Sequence, residues 1–330
     1  MTEPNRAPFR PPGWLRNRHV QTLLPALGVV KTPRPSFERE IVQLPDGDSL
    51  AADWLRPRPH SDDAPLLVVL HGLEGSSDSS YARGVSAAAN AQGWPAVVMH
   101  FRDCGDHRNR LDRRYHAGET GDIECFLDYV RGKHPGRTLL MAGFSLGGNA
   151  LLKYLGENGA EAPIAAAVAV SVPFELQKAS DSISKGFSKF YRWHLMRNMK
   201  RALQRKFRPD DAPFDYAAAM LAKDFETFDN LVTAPLHGFR DVEHYYGSQS
   251  CRQYLSQIQV PTRILHAIDD PFMSPDMIPE ADEMSAHVSL ELSQHGGHVG
   301  FITGSPLRLR PWLPGRIIAS LQQALRDTQA

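Results

Sequence analysis

Gly143-Phe144-Ser145-Leu146-Gly147-Gly148 is the part of this 330-residue sequence with the clearest chemical content. It follows the apolar run Thr138–Ala142 (TLLMA) and precedes the helix-like NALLKYL. That strand-to-helix context separates an activated serine from a chance G-x-S-x-G. A serine on so sharp a turn needs small neighbours, because Cβ atoms there would clash. The helix starting beneath it supplies free N–H groups and a positive dipole end, both favourable to developing negative charge. A serine hydroxyl is still a weak nucleophile, and needs a base held in place by a carboxylate.

Both partners have candidates downstream. The strand-like TRILHAI ends in Asp269-Asp270-Pro271, and HVSLEL runs into Ser293-Gln294-His295-Gly296-Gly297-His298-Val299-Gly300. Each group falls after the C-terminal end of a strand, where open α/β sheets place their sites. His298, set among glycines that let its ring reach across to the serine, is favoured as the base over His295. Asp270, directly before Pro271, is favoured as the acid over Asp269, with Glu175 a weaker substitute. The loop His71-Gly72-Leu73-Glu74-Gly75-Ser76-Ser77, after the apolar run LLVVL, could aim the Leu73 N–H at the same point as the Leu146 N–H. Two such donors on a tetrahedral oxyanion are worth about 3 kcal/mol each. His71 reads as a residue that fixes this loop, and His107 with Asp112 as a chance H-x4-D spacing.

These residues need a scaffold. Leu66–Leu70, Ala96–His100, Thr138–Ala142, Ile164–Val170, Thr262–Ala267 and His287–Leu292 read as buried strands of a largely parallel sheet covered on both faces. Helix-like stretches at about 79–92, 119–133, 146–157, 276–286 and 314–327 alternate with them as βαβ units. Ile41–Leu44 and Ser49–Trp54, split by Pro-Asp-Gly-Asp, read as an edge hairpin. The first 37 residues, rich in Pro and Arg, are expected to form an extended arm. Phe174 to about Arg240 breaks the βαβ rhythm over about 65 residues, too long for a bare loop, and reads as an inserted cap. Within it, Ser182–Pro209 carries nine Lys/Arg and no Asp or Glu, with Phe187, Tyr191 and Leu195, then Met199, Leu203 and Phe207, four residues apart. It is either a solvated basic face over a small cap core or an interfacial helix that attracts anionic lipid or acyl substrates.

Composition narrows the function. Lys+Arg and Asp+Glu both number 37, a balance that argues against a dedicated nucleic-acid binder. Three scattered cysteines argue against a disulfide framework or a cysteine-based zinc site, and point to a reducing compartment. Mean hydropathy is −0.36, and no apolar run approaches the ~20 residues of a spanning helix. The opening MTEPNRAPFRPPGWLRNRH lacks a signal-peptide stretch, so a cytoplasmic location is expected. No H-E-x-x-H spacing occurs, and the serine chemistry requires neither metal nor cofactor.

Taken together, the motifs resemble the α/β hydrolases, specifically the YheT-like branch that includes plant embryogenesis-associated proteins and mammalian ABHD-type acyl lipases. The resemblance rests on Phe9-Arg10-Pro11, Asn17-Arg18-His19-Val20-Gln21-Thr22, the 71–77 loop, Arg114-Tyr115-His116-Ala117-Gly118-Glu119-Thr120, Gly143–Asn149, Asp269–Phe272 and His295–Phe301. It implies a mostly parallel eight-stranded sheet with a helical cap: an arm at 1–40, a core at 41–173 and 241–330, and a cap at 174–240. It also implies Ser145, Asp270 and His298 as a triad, Leu73 and Leu146 as oxyanion donors, and hydrolysis of short-chain esters, acylglycerols or phospholipids. An acyltransferase or thioesterase could use the same triad, and a non-catalytic binding protein could keep the fold. The family pattern Asn-Phe-Arg-Gly reads His100-Phe101-Arg102-Asp103 here, which puts the shape of that loop in question. The neighbouring Arg108–Arg114 run reads as a solvated loop, with Tyr115, His116 and Glu119 bracing the site.

Overall fold

Leu66–Leu70 has no polar residue on either side of its pleat, and all five side chains are buried. Successive strand residues point to opposite faces. Leu66, Val68 and Leu70 accordingly join one hydrophobic cluster, and Leu67 and Val69 join another across the sheet. Both faces must therefore be covered. In the computed structural model, which describes residues 9–56 and 63–329, this run is the third strand of an eight-stranded sheet.

The strands are β1 (Glu38–Gln43), β2 (Ser49–Leu55), β3 (Leu66–Leu70), β4 (Ala96–Met99), β5 (Leu139–Phe144), β6 (Ala166–Val170), β7 (Thr262–Ala267) and β8 (Val288–Ser293). They lie in the order β1-β2-β4-β3-β5-β6-β7-β8. The β1–β2 and β2–β4 pairs are antiparallel and every pair from β4 to β8 is parallel. Leu70 is in register with Met99 and Gly143, and Ala267 with Ser293, so the carboxyl ends of these strands share one edge. The loops after β3, β5, β7 and β8 emerge there together.

After α1 (Arg18–Ala26), helix α2 (Ser80–Asn90) covers one face of the sheet together with the C-terminal Leu313–Gln329. Helices α3 (Gly121–Lys133) and α4 (Leu146–Asn158) cover the other. Between β6 and β7 the chain passes through α5 (Leu176–Ile183), α6 (Ser188–Lys206), α7 (Tyr216–Leu221), α8 (Phe225–Phe228), a π-helical turn at Asp229–Thr233, α9 (Ala234–Leu236) and α10 (Val242–Gln249). Met196, Met199, Leu203 and Phe207 of this segment close on Ala219, Phe228 and Val232 as a small core of their own. Of the predicted apolar row, Tyr191 is buried too, but Phe187 is 54% exposed.

Four features depart from the sequence reading. The arm is not simply extended: Asn17 accepts from the His19 and Val20 N–H groups at 2.9 and 3.2 Å and starts α1. Its residues 1–8 lie outside the described residues. The stretch 276–286 is not one helix but two 3₁₀ turns, Pro275–Met277 and Ala281–Glu283, because Pro279 holds Ile278 extended at φ −65°, ψ 123°. A two-stranded hairpin, β9 (Ile302–Ser305) with β10 (Arg308–Pro311), follows the His298 loop. The arginine run is only partly solvated: Arg114 is buried and pairs with Glu74 at 2.8 Å, while Arg113 meets both Glu119 oxygens at 2.7 Å.

Asp103, where the family pattern has glycine, adopts glycine's conformation at φ +62°. Its carboxylate accepts from the Asn109 N–H at 3.1 Å and meets Lys206 of α6 at 2.7 Å, both side chains being buried. An isolated buried charge would be costly, so each holds the other in place and ties α6 to the sheet's edge.

Candidate active site

Ser145 is the single residue between β5 and α4, at φ 52°, ψ −120°. A non-glycine residue there stores about 1–3 kcal/mol of strain and persists only where its surroundings dictate it. The surroundings do so here. The Ser145 N–H donates to the Val170 carbonyl at 2.9 Å, and the Ser145 carbonyl accepts from Gly148 and Asn149 N–H at 2.9 and 3.0 Å. A Cβ on Gly143 would lie 2.6 Å from the Gly147 carbonyl oxygen, and one on Gly147 would lie 2.8 Å from that of Leu70. Both glycines are steric requirements of the turn. The hydroxyl is thereby raised above the sheet at the amino end of α4.

His298 stands across from it. Its Nε2 lies 2.9 Å from Ser145 Oγ and its Nδ1 lies 2.8 Å from Asp270 Oδ2. Asp270 is buried, and its other oxygen accepts from the Phe272 N–H at 2.8 Å. With Nδ1–H donating to the carboxylate, Nε2 is left to accept from the serine hydroxyl. Asp269 faces elsewhere: one oxygen is 3.2 Å from His295 Nδ1 and the other accepts from the Gly297 N–H at 3.0 Å. Glu175 pairs with Lys178 at 2.8 Å and with Arg252. His107 meets Ser49 Oγ at 2.9 Å.

The loop after β3 approaches closely, for a Cβ on Gly72 would be 3.3 Å from Ser145 Cβ. Gly75 N–H donates to the Gly72 carbonyl at 3.0 Å, and Glu74 has φ +51°. Leu73 therefore sits at the first corner of a tight turn, whose closing bond does not use its N–H. The Leu146 N–H belongs to the first turn of α4, where no intrahelical acceptor exists. Both residues line the same cavity as Ser145 and His298. Fully buried His71 is the loop-fixing residue, with Nδ1 at 2.7 Å from the Gly72 carbonyl and Nε2 accepting from Phe101 N–H at 3.2 Å. Burial, with His100 beside it, holds its pKa down at about 3.

Most of the residues that hold His298 come from places the sequence reading left without a role. Thr22 Oγ1 of α1 accepts from the His298 N–H at 2.9 Å. Gln21, fully buried, brackets Ile302, accepting from its N–H at 2.6 Å and donating to its carbonyl at 3.1 Å. Gly297 takes φ +58°, and a Cβ there would strike Thr22 and the Arg18 carbonyl. Phe272 stacks on the imidazole at 4.0 Å between centroids, and Tyr191 of α6 packs on Phe272 at 5.1 Å. The motif Asn17–Thr22 was visible in the sequence, but its partners lie some 280 residues away.

The cavity over Ser145 has a volume of about 850 Å³ and lies between the sheet's edge, α1 and the helices that follow β6. Leu23, Ala26, Leu195, Met199, Phe225 and Val232 give it apolar lining, and His116, Asp229, Thr233, His237 and Tyr246 give it polar groups. His116, Glu119 and His237 bring ligand atoms within 4.8 Å of one another, a spacing a metal ion could draw together. Two of the three, His116 and Glu119, are committed otherwise. His116 Nδ1 accepts from the Gly118 N–H at 3.2 Å, which leaves the ring proton on Nε2, facing Glu119 at 3.5 Å. Arg113 already occupies the Glu119 carboxylate.

Asp229 sits in the π-helical turn, with Thr233 and Tyr246 hydroxyls donating to it at 2.5 and 2.7 Å. Burial outweighs these bonds and raises its pKa to about 6. Its proton is thus held more tightly in the fold than in the unfolded chain. Its contribution is complete below the unfolded pKa of about 3.9 and is lost as pH rises through 6, a loss of about 3 kcal/mol. Asp229→Asn cannot ionise. The unfolding free energy of the natural protein, minus that of the variant, should therefore fall by about 3 kcal/mol between about pH 3 and pH 7 in urea titrations. A flat difference would show that the carboxyl ionises as freely in the fold as outside it.

An open, mostly parallel sheet, a serine on a strained strand-to-helix turn and a histidine loop after the last strand define the α/β-hydrolase class. The chain belongs to that family: the α/β hydrolase fold matches residues 65–305. It is 40% identical to YheT of Escherichia coli (strain K12) over 314 residues, covering 94% of this chain and 92% of that protein. It is 28% identical to phospholipase ABHD3 of Mus musculus over 303 residues, covering 90% of this chain and 74% of that one. Among solved structures, the Pyrococcus furiosus esterase Pf2001 superposes with a TM-score of 0.59 at 15% identity, over 98% of this chain and 99% of that one, a likeness of fold. The chain is an enzyme of the esterase and lipase type within this family.

Proposed function

We propose that the protein is a serine carboxylic-ester hydrolase acting through an acyl-enzyme on Ser145. The observation that carries this reading is the continuous hydrogen-bond path Ser145–His298–Asp270 at 2.9 and 2.8 Å. His298 Nε2 takes the Ser145 proton as Oγ attacks the ester carbonyl. Asp270 holds the required tautomer and balances the imidazolium. The Leu73 and Leu146 N–H groups receive the oxyanion, and the imidazolium then gives its proton to the leaving alcohol. Water, deprotonated by the same imidazole, releases the acid.

The helices within 174–240 act as a cap, with the residues before β1 as an arm that fixes the His298 loop. An acylglycerol-type lipid suits the cavity better than the smallest esters. Its apolar lining takes an acyl chain, and its polar groups, Asp229 and His237 among them, take a hydroxylated head. The phospholipase ABHD3 relative supports a lipid ester. The test is intact-mass spectrometry after treatment with a fluorophosphonate, then peptide mapping. One adduct, on Ser145, is expected. On p-nitrophenyl esters kcat/KM should then rise from acetate to octanoate by up to about fourfold per CH₂, the value of burying one methylene. No adduct on folded protein would favour a ligand-binding role.

A further inference from the structure

Helix α6 (Ser188–Lys206) buries Tyr191, Met196, Met199 and Leu203 on one side. The opposite side runs through Phe187, just before it, then Phe190, Trp193, Arg197 and Arg201, spaced three or four residues apart and all exposed. The three aromatic residues are 54, 47 and 55% exposed and sit in a row, with Phe187–Phe190 at 5.9 Å, Phe190–Trp193 at 6.1 Å and the Arg197 guanidinium 5.5 Å over the Trp193 ring. A solvated basic helix has no use for three large rings in water, and contiguous exposed apolar surface of this kind marks an interaction site. The charges within 182–209 are of one sign. Lys185, Lys189, Arg197 and Arg201 are exposed, and among the described residues none of the four has an ion-pair partner. By contrast Lys200 and Lys206 point inward, to the Met220 and Ala222 carbonyls and to Asp103.

We propose that this face of α6 docks on the surface of an anionic lipid bilayer. Aromatic rings flanked by lysine and arginine match the headgroup boundary, where rings bury their apolar edges and cations meet lipid phosphates. The face also reaches the cavity mouth, since Phe187 and Phe190 are exposed and line the cavity, as does Leu27, itself 70% exposed. Docking therefore presses that entrance against the membrane, and no spanning segment is needed. Among the described residues no helix is long and apolar enough to cross a bilayer. The delivery of lipid to Ser145 by this route rests on the hydrolase reading; the docking itself does not.

Sedimentation with vesicles of phosphatidylcholine and phosphatidylglycerol, against phosphatidylcholine alone, tests it with the full chain. The natural protein should bind the anionic vesicles, bind the neutral ones far less, and dissociate in high salt. Arg197→Glu/Arg201→Glu should weaken binding at least about 100-fold, as each basic charge at the surface counts roughly fivefold and four charges change. Trp193→Ser should weaken it by about tenfold. Thermal midpoints and turnover of a dissolved p-nitrophenyl ester should be unchanged, since none of these side chains lines the cavity. No binding to anionic vesicles, or equal binding by the double variant, overturns the proposal. So does stripe-dependent binding to duplex DNA in place of vesicles. Vesicle binding by a protein that hydrolyses no ester would instead count against the hydrolase reading and leave the docking face supported.

Discussion

Ser145→Ala is expected to lower kcat/KM on a p-nitrophenyl ester by about 10⁶-fold, close to the cost of losing the whole nucleophilic unit. The residue left behind retains the cavity and the Leu73 and Leu146 N–H groups, so a weak background over water should persist. Stability should separate this loss from unfolding. Ser145 sits at φ 52°, ψ −120°, and its backbone bonds to Val170, Gly148 and Asn149 do not involve the side chain. Alanine keeps that backbone and its strain, so the unfolding free energy should change by less than about 1 kcal/mol. Ser145→Gly should be equally inactive yet more stable by about 1 kcal/mol, because glycine relieves the strain at a smaller cost in unfolded-state entropy. An active alanine variant in a preparation free of contaminating esterase would refute the assignment of Ser145. A glycine variant less stable than the alanine one would show that the turn stores no strain.

The contrast between this serine and the histidine that faces it shows what a sequence discloses. Leu66–Leu70 and Thr262–Ala267 coincide with β3 and β7 because a short apolar run between turn signals has one way to be buried in a parallel sheet. That Ser145, Asp270 and His298 meet was readable for a related reason: each lies just beyond a strand end, and strand ends of a parallel sheet converge. The supports of the site carry no such local signal. Proline and arginine around 4–18 masked the short helix that Asn17 caps, and nothing near Gln21 or Thr22 announces Ile302 or His298 as a partner. Arg114 looked like one more solvated arginine, and its burial is explained by partners the local pattern does not show, chiefly Glu74, 40 positions earlier. The same holds for Asp103, whose left-handed backbone and Lys206 partner come from tertiary contacts. Strand ends follow from local pattern; what braces them comes from distant segments.

The acid is the component where neighbouring residues must be told apart, and here the largest expected contrast lies between two adjacent aspartates. Asp270→Asn should lower kcat by about 10⁴-fold. The amide would offer a donor to His298 Nδ1 where the carboxylate accepts. The ring proton would then move to Nε2, which faces Ser145 Oγ at 2.9 Å and could no longer take the serine proton. The asparagine would also leave the imidazolium of the transition state without its countercharge. Asp269→Asn should cost less than about tenfold, because Asp269 touches His295 at 3.2 Å and the Gly297 N–H at 3.0 Å but not His298. An asparagine carbonyl can still accept from Gly297, so the loop keeps that bond. Acylation rates from single-turnover kinetics would separate the two cases, with the Asp270 variant slowed in forming the acyl-enzyme and the Asp269 variant close to the natural protein. If the two phenotypes came out reversed, the 2.8 Å contact between Asp270 and His298 would be structural and His295 would have to be considered as the base. Equal, small losses would mean that neither carboxylate fixes the imidazole tautomer, and the proton path would need a different acceptor.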